Sequence, residues 1–265
     1  MTGSGRAVFA AAVIRGCRSE LAARGSNVVR EVIGPRGEVE AWRHYPPGDG
    51  YDLISRSQYF FHGHPDPAPG SCEAPEYGHF HLFLRAEGMP AGTQPLLLPE
   101  AAIAKEHLPT PPQAAPSKRG ARDEVSHLVA IAVNAVGEPV RLFTTNRWVT
   151  GETWYRADDV VRMLDRFSLD AADPASFVNF WLTAMVRLYQ PEIAMLLRER
   201  DRVVMDPIRR RRRLDAFEDP RLEVTSSLAI DLETRLAAVD RLGAEHAVLP
   251  QPPPRIPRLA EGWGS

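Results

Sequence analysis

The chain has 265 residues, of which 44% are apolar and 25% charged, with a formal net charge of −2. That is the make-up of an ordinary globular protein, and its near-neutral balance excludes whole-chain attraction to nucleic acid or to an acidic membrane surface. Two cysteines, Cys17 and Cys72, and no C-x-x-C exclude a disulfide framework and a structural zinc ribbon, so a reducing cytoplasm is the expected compartment.

In chain order, the first expected element is a helix from Arg6 to Ala23, closed near Gly25. Its apolar start, Ala7–Ile14, lacks a small-x-small cleavage pattern. It runs on into Arg15, Arg18 and Glu20, which reads as an amphipathic helix rather than a leader. Val39–Tyr45 reads as a strand that Pro46-Pro47-Gly48-Asp49-Gly50 breaks. Ser57–His64 and Gly78–Arg85 read as strands joined by a Pro-rich loop, and Leu108–Gly120 as a Pro- and Ala-rich connector. Val125–Asn134 and Val140–Thr145 flank a Gly137-Glu138-Pro139 turn and form the clearest hairpin.

From Asp158 the pattern is helical. Asp158–Phe167 is one helix. Asp173-Pro174 opens another, with Phe177, Phe180, Trp181, Ala184, Met185 and Leu188 as its apolar stripe. Pro191 starts or kinks a stretch to Val204, and Asp206-Pro207 repeats the start signal. Ser226 or Ser227 caps a last helix with Leu228, Leu232, Leu236 and Val239 on one side and Gly243 beyond it. A Pro-rich tail from Pro250 is expected to be extended. No apolar run nears the roughly 18 residues that span a bilayer. The expectation is an α+β chain with an antiparallel sheet of about five strands. It forms a single domain over 1–265: helix and sheet over 1–155, helices over 156–245, and the tail over 246–265.

Half of the eight histidines stand in two H-x-H pairs within His62–His81 (HGHPDPAPGSCEAPEYGHFH). On a strand, residues two apart share a face, about 6.5–7 Å between Cα atoms. His62 and His64 therefore project together, as do His79 and His81, and the 14-residue connection allows antiparallel pairing. Imidazoles so placed can set nitrogens roughly 2 Å from one ion. Clustered histidines otherwise repel when protonated, and neutral buried rings need a partner for each N–H. A metal resolves both problems. His127 is in phase with Val129, Ile131 and Val133, and joins the set if its strand lies in the same sheet on the same face. His44, in phase with Trp42, is a further candidate, and Asp66, Glu73, Glu76 and Tyr77 are candidate oxygen ligands.

Imidazole or imidazole–carboxylate donor sets suit iron, copper or zinc, and three such ligands with open positions suit iron(II) oxygen chemistry. The leading expectation is a non-haem iron centre that oxidises a small organic substrate, with His62, His64, His79 and His81 as first candidate ligands and His127 as a supplementary one; three of them bind the ion and the others orient ligands or move protons. Haem, with His64 or His81 as axial ligand, is an alternative. So is a metal carrier or sensor without catalysis, or an interaction domain with a histidine-rich core. The cupin pattern also uses H-x-H, but Glu87 falls six residues after His81 and no second motif follows. In Thr144–Trp154 (TTNRWVTGETW), Arg147 is expected to clamp a substrate carboxylate, with Glu152 beside it as a catalytic group. The arginines of Ile208–Leu214 point all around a helix and are flanked by acidic residues, so they read as a salt-bridged surface with no nucleic-acid partner.

The segments WRHYPPGDGYD, SQYFFHGHP, EYGHFHLFLR and FTTNRWVTGETW together resemble an uncharacterised bacterial family, carried as a domain of unknown function. The resemblance runs from Val39 to the Pro-rich tail and implies no activity and no ligands.

Overall fold

The structure, a computed structural model, describes residues 3–34, 39–40, 43–64, 76–96, 124–174, 176–210 and 216–248, excluding the side chains of 206–210 and 245–248. Trp42, Asp66, Cys72, Glu73, the Leu108–Gly120 connector, Arg211–Arg213 and the tail beyond Val248 lie outside the described residues, and residues 246–248, expected in the tail, end the last helix.

Five strands follow one another as a meander: β1 (Tyr45–Asp52), β2 (Ser57–Gly63), β3 (Gly78–Arg85), β4 (Val125–Val133) and β5 (Pro139–Thr145). Two short strands extend it. β6 (Ala172–Asp173) lies beyond β1 and β7 (Val224–Ala229) beyond β5, giving an antiparallel sheet in the order β6-β1-β2-β3-β4-β5-β7. With seven helices among the described residues the class is α+β, and the sheet has two more strands than the sequence pattern indicates.

Both extra strands sit where the sequence reads as a helix start. Asp173 pairs with Tyr51 and Ala172 with Asp52, and α5 (Phe177–Leu188) begins only behind Ser176. Ser226 pairs with Thr144 and Ser227 with Phe143. The last helix, α7 (Leu232–Val248), starts where the Asp231 carboxylate accepts the Thr234 N–H at 2.6 Å, and Gly243 lies inside it. Short polar residues suit an N-cap and an edge strand alike, so local chemistry does not separate the two. α6 (Gln190–Arg210) also runs on through Asp206-Pro207 without restarting.

Pro46–Gly50 belong to the first strand and do not end it. Tyr45 pairs with Phe61 and Gly50 with Tyr59, so the residues between them bulge away from the ladder. A bulge releases prolines from donating ladder hydrogen bonds, and Gly48 (φ 83) and Asp49 (φ 64) supply its left-handed turn.

Register sorts the sheet into two faces. Phe61 pairs with Phe80, Phe80 with Ile131 and Ile131 with Leu142, so an apolar row crosses four strands. This row is buried in one core with residues of α1 (Gly3–Ala23), α4 (Ala157–Leu164), α5 and α6. Trp181 of α5 sits beside Phe80 with ring centroids 5.9 Å apart. The alternate residues, including both H-x-H pairs, face the other way. Among the described residues no helix is long and apolar enough to cross a membrane.

Gly78 has no room for a side chain beside β2. A Cβ there would stand 2.5 Å from the His62 carbonyl oxygen and 2.8 Å from Gly63 Cα. Gly78→Ala must push the strands apart, with an expected loss of about 1–3 kcal/mol in urea unfolding. An unchanged midpoint would show that the strands do not approach so closely.

Candidate metal centre

Pairing of β2 with β3 sets His62 directly opposite His79. Ring centroids are 4.3 Å apart for His62–His79, 4.6 Å for His79–His81 and 5.4 Å for His62–His81. Each of these three offers one nitrogen, and the nitrogens all lie within 4.8 Å of one another. A second group of the same kind is His64, Glu76 and His79. In it, His79 Nδ1 is 2.9 Å from Glu76 Oε1 and 3.1 Å from His64 Nε2. Arg141 donates to the other Glu76 oxygen at 2.5 Å. Both groups are placed to hold a metal ion.

His127 reaches this face by a slip of register. Plain alternation puts it with Val129, Ile131 and Val133, on the helix-packed face. Leu82 pairs with Val129 but Phe83 with His127, so Leu128 is an extra residue that turns His127 over. The His127 backbone N–H donates to Glu152 Oε2 at 2.7 Å. Its ring then stands behind His81, with Nε2 3.1 Å from His81 Nδ1 and Nδ1 3.4 Å from Thr145 Oγ1. Two tautomer assignments satisfy this chain: His81 Nδ1–H donating to His127 Nε2 with His127 Nδ1–H donating to Thr145, or the reverse, with the Thr145 hydroxyl donating to His127 Nδ1 and His127 Nε2–H to His81 Nδ1. The first leaves His81 Nε2 bare for a ligand. His127 thus holds His81 in place and belongs to neither three-residue group. His44 stacks on Phe60 at 3.7 Å with the planes 5° apart, and its Nδ1 meets Asp49 Oδ1 of the β1 bulge at 3.2 Å.

Electrostatics keep the rings in the metal-binding form. Burial, then the neighbouring histidines, lower His62 to about 2. Burial and the Arg200 charge lower His127 to about 3. His79 and His81 shift the same way, burial again being the largest cause. Neutral imidazole is the form that ligates. Burial alone would raise Glu76, but hydrogen bonds from His79 and Arg141 outweigh it and hold the carboxyl at about 2, ionised. Phe60, Phe83 and Phe143 wall the rings, and Ala130 and Ala132 stand opposite His81 and His79.

A family model described as Domain of unknown function (DUF6969) matches residues 8–230. The chain belongs to this family. The matched span contains all seven strands and both candidate ligand groups. Neither the curated proteins nor the solved structures contain a match.

The other two site candidates of this DUF6969 chain are differently placed. Arg147 is buried and forms an ion pair with Glu218, so a substrate carboxylate would have to displace Glu218 to reach it. Glu152 is fully buried behind His127, and burial pushes its carboxyl up to about 7 against the opposing charge of Arg200. Three contributors were not singled out from sequence: Arg141, Thr145 and Arg200. Arg141, Phe143 and Thr145 alternate along β5, and each meets the site, through Glu76, His79 and His127 respectively. Their period of two is the signal that marks them. Arg200 comes from α6 and stacks over Trp154 at 4.1 Å, with no signal in the local sequence.

Proposed function

We propose that His62, His79 and His81 hold one divalent transition metal and that the protein is a non-haem iron oxidoreductase acting on a small organic molecule. The observation that carries this is three neutral imidazoles whose nitrogens lie within 4.8 Å of one another on paired strands. Three protein ligands leave coordination positions open, and iron(II) in such a set supplies O2 binding and activation. The chain's own residues do the rest. A metal at His81 Nε2 selects the tautomer in which His81 Nδ1–H donates to His127 Nε2, which fixes that ring, and Thr145 fixes His127 in turn. Phe60, Phe83 and Phe143 exclude water from the buried side. His62 is half-buried and His64 exposed, so substrate approaches from the β2 side.

The test is elemental analysis of the full chain, purified without an affinity tag from iron-replete cells. Iron is expected, and a His62→Ala, His81→Ala double variant is expected to lose it while keeping the wild-type circular dichroism. Zinc in place of iron overturns the iron assignment. Failure of the metal-free chain to take up iron(II), zinc or copper(II) overturns the metal site itself.

A further inference from the structure

We infer that the centre holds two cations, the second seated by His64, Glu76 and His79, with the His79 imidazole shared between the seats. This rests on the reading of His62, His79 and His81 as the inner site. His79 Nδ1 faces Glu76 Oε1 at 2.9 Å and His64 Nε2 at 3.1 Å. A single ring nitrogen has one proton or one lone pair to offer, so it satisfies one of these neighbours and leaves the other facing it unmatched. A cation among the three accepts a lone pair from each.

The spacing agrees with that. Metal–ligand bonds of about 2.1 Å at right angles put neighbouring ligand atoms about 3 Å apart. Arg141 holds the outer oxygen of Glu76, which turns Oε1 toward His79 and His64. Two imidazoles and one ionised carboxylate suit the same metals as the inner seat. The other His79 nitrogen, Nε2, lies across the ring and is assigned to the inner seat with His62 and His81. With both seats filled the ring bridges them, and its remaining proton passes to solvent as the second ion binds. The outer seat is the accessible one, since His64 is exposed and His81 is buried.

Equilibrium dialysis of the metal-stripped full chain against Co(II) tests this. Wild type is expected to saturate at two ions per chain. His64→Ala, at an exposed position outside the core, and Glu76→Gln are each expected to saturate at one, and His81→Ala to keep the outer ion. Wild type saturating at one ion overturns this inference and leaves the inner site standing. Wild type binding none overturns both. Two ions still bound by His64→Ala place the second ion elsewhere and overturn it as well. Loaded with two equivalents of Cu(II), the protein is expected to give an exchange-coupled electron paramagnetic resonance spectrum. Two additive isolated signals overturn the bridge.

Discussion

Lowering the pH of the metal-free protein from 6.5 to 4.5 is expected to remove about 5 kcal/mol of stability through His62 and His127 alone. In the fold these rings titrate at about 2 and about 3, first because they are buried and then because the neighbouring histidines compete with His62 for a proton and Arg200 places positive charge near His127. In the unfolded chain imidazole titrates near 6.5. Below that pH the unfolded state takes up a proton at each ring that the folded state refuses, so stability falls as pH falls. The slope is about 1.4 kcal/mol per pH unit per histidine. His79 and His81 act in the same direction. Glu152 acts against them. Its folded carboxyl titrates at about 7, so its contribution grows by about 2 kcal/mol over the same window and offsets part of the loss. A net loss of several kcal/mol is a large share of the roughly 5–15 kcal/mol that holds a domain folded. Urea unfolding of the stripped protein at the two pH values measures it, and His62→Gln should flatten the profile by about 2 kcal/mol. A profile already flat in wild type would mean that the rings accept protons inside the fold, and the dry packing of the cluster would be wrong.

The parts of this fold that sequence makes legible are those governed by alternation. β3 spans Gly78–Arg85 in the sequence pattern and in the structure, and β2, β4 and β5 differ by a residue at most. Each carries apolar residues at period two, because each buries one face against helices. Convergence of His62, His64, His79 and His81 follows from the same period together with a link short enough for neighbouring strands. What alternation hides is wherever the ladder slips. The bulge at Leu128 reverses the side to which His127 points, and nothing in VSHLVAIAV marks it. The β1 bulge turns Pro46–Gly50 from a strand breaker into part of a strand, and brings Asp49 beside His44. Long-range charge pairing is equally silent. Arg147 reads as a free guanidinium beside a pocket until Glu218 is found against it, and Glu76 is one of several acidic candidates until Arg141 and His79 single it out.

Glu152→Gln is expected to stabilise the protein by about 3 kcal/mol at pH 8 and to leave it unchanged near pH 4.5. The carboxyl is fully buried, and Arg200, the cation that would favour its ionised form, already has Asp201 as an ion-pair partner. Burial therefore dominates and raises the carboxyl to about 7. The unfolded chain releases this proton near 4.3, so the stability it contributes is complete below that pH and is lost as pH rises to 7. Glutamine never ionises and escapes the loss. Its amide oxygen still accepts the His127 N–H, now received by Glu152 Oε2 at 2.7 Å, and its amide N–H faces the Thr150 hydroxyl, now 3.5 Å from Oε1. Glu152→Ala is the contrasting variant. It strips the buried His127 N–H of its acceptor, at a cost of about 1–3 kcal/mol, and frees the bulge that holds His127 against His81. Alanine escapes the ionisation loss as well, so at pH 8 the stability of Glu152→Ala should lie about 1–3 kcal/mol below that of Glu152→Gln, and near pH 4.5 it should fall below wild type by the same amount. Anchoring a bulge requires only a carbonyl oxygen, so the buried carboxyl costs the fold stability at neutral pH that an amide would not. A glutamine variant less stable than wild type at pH 8 would show that the ionised carboxylate is well solvated by Arg200, and the argument from burial would fall.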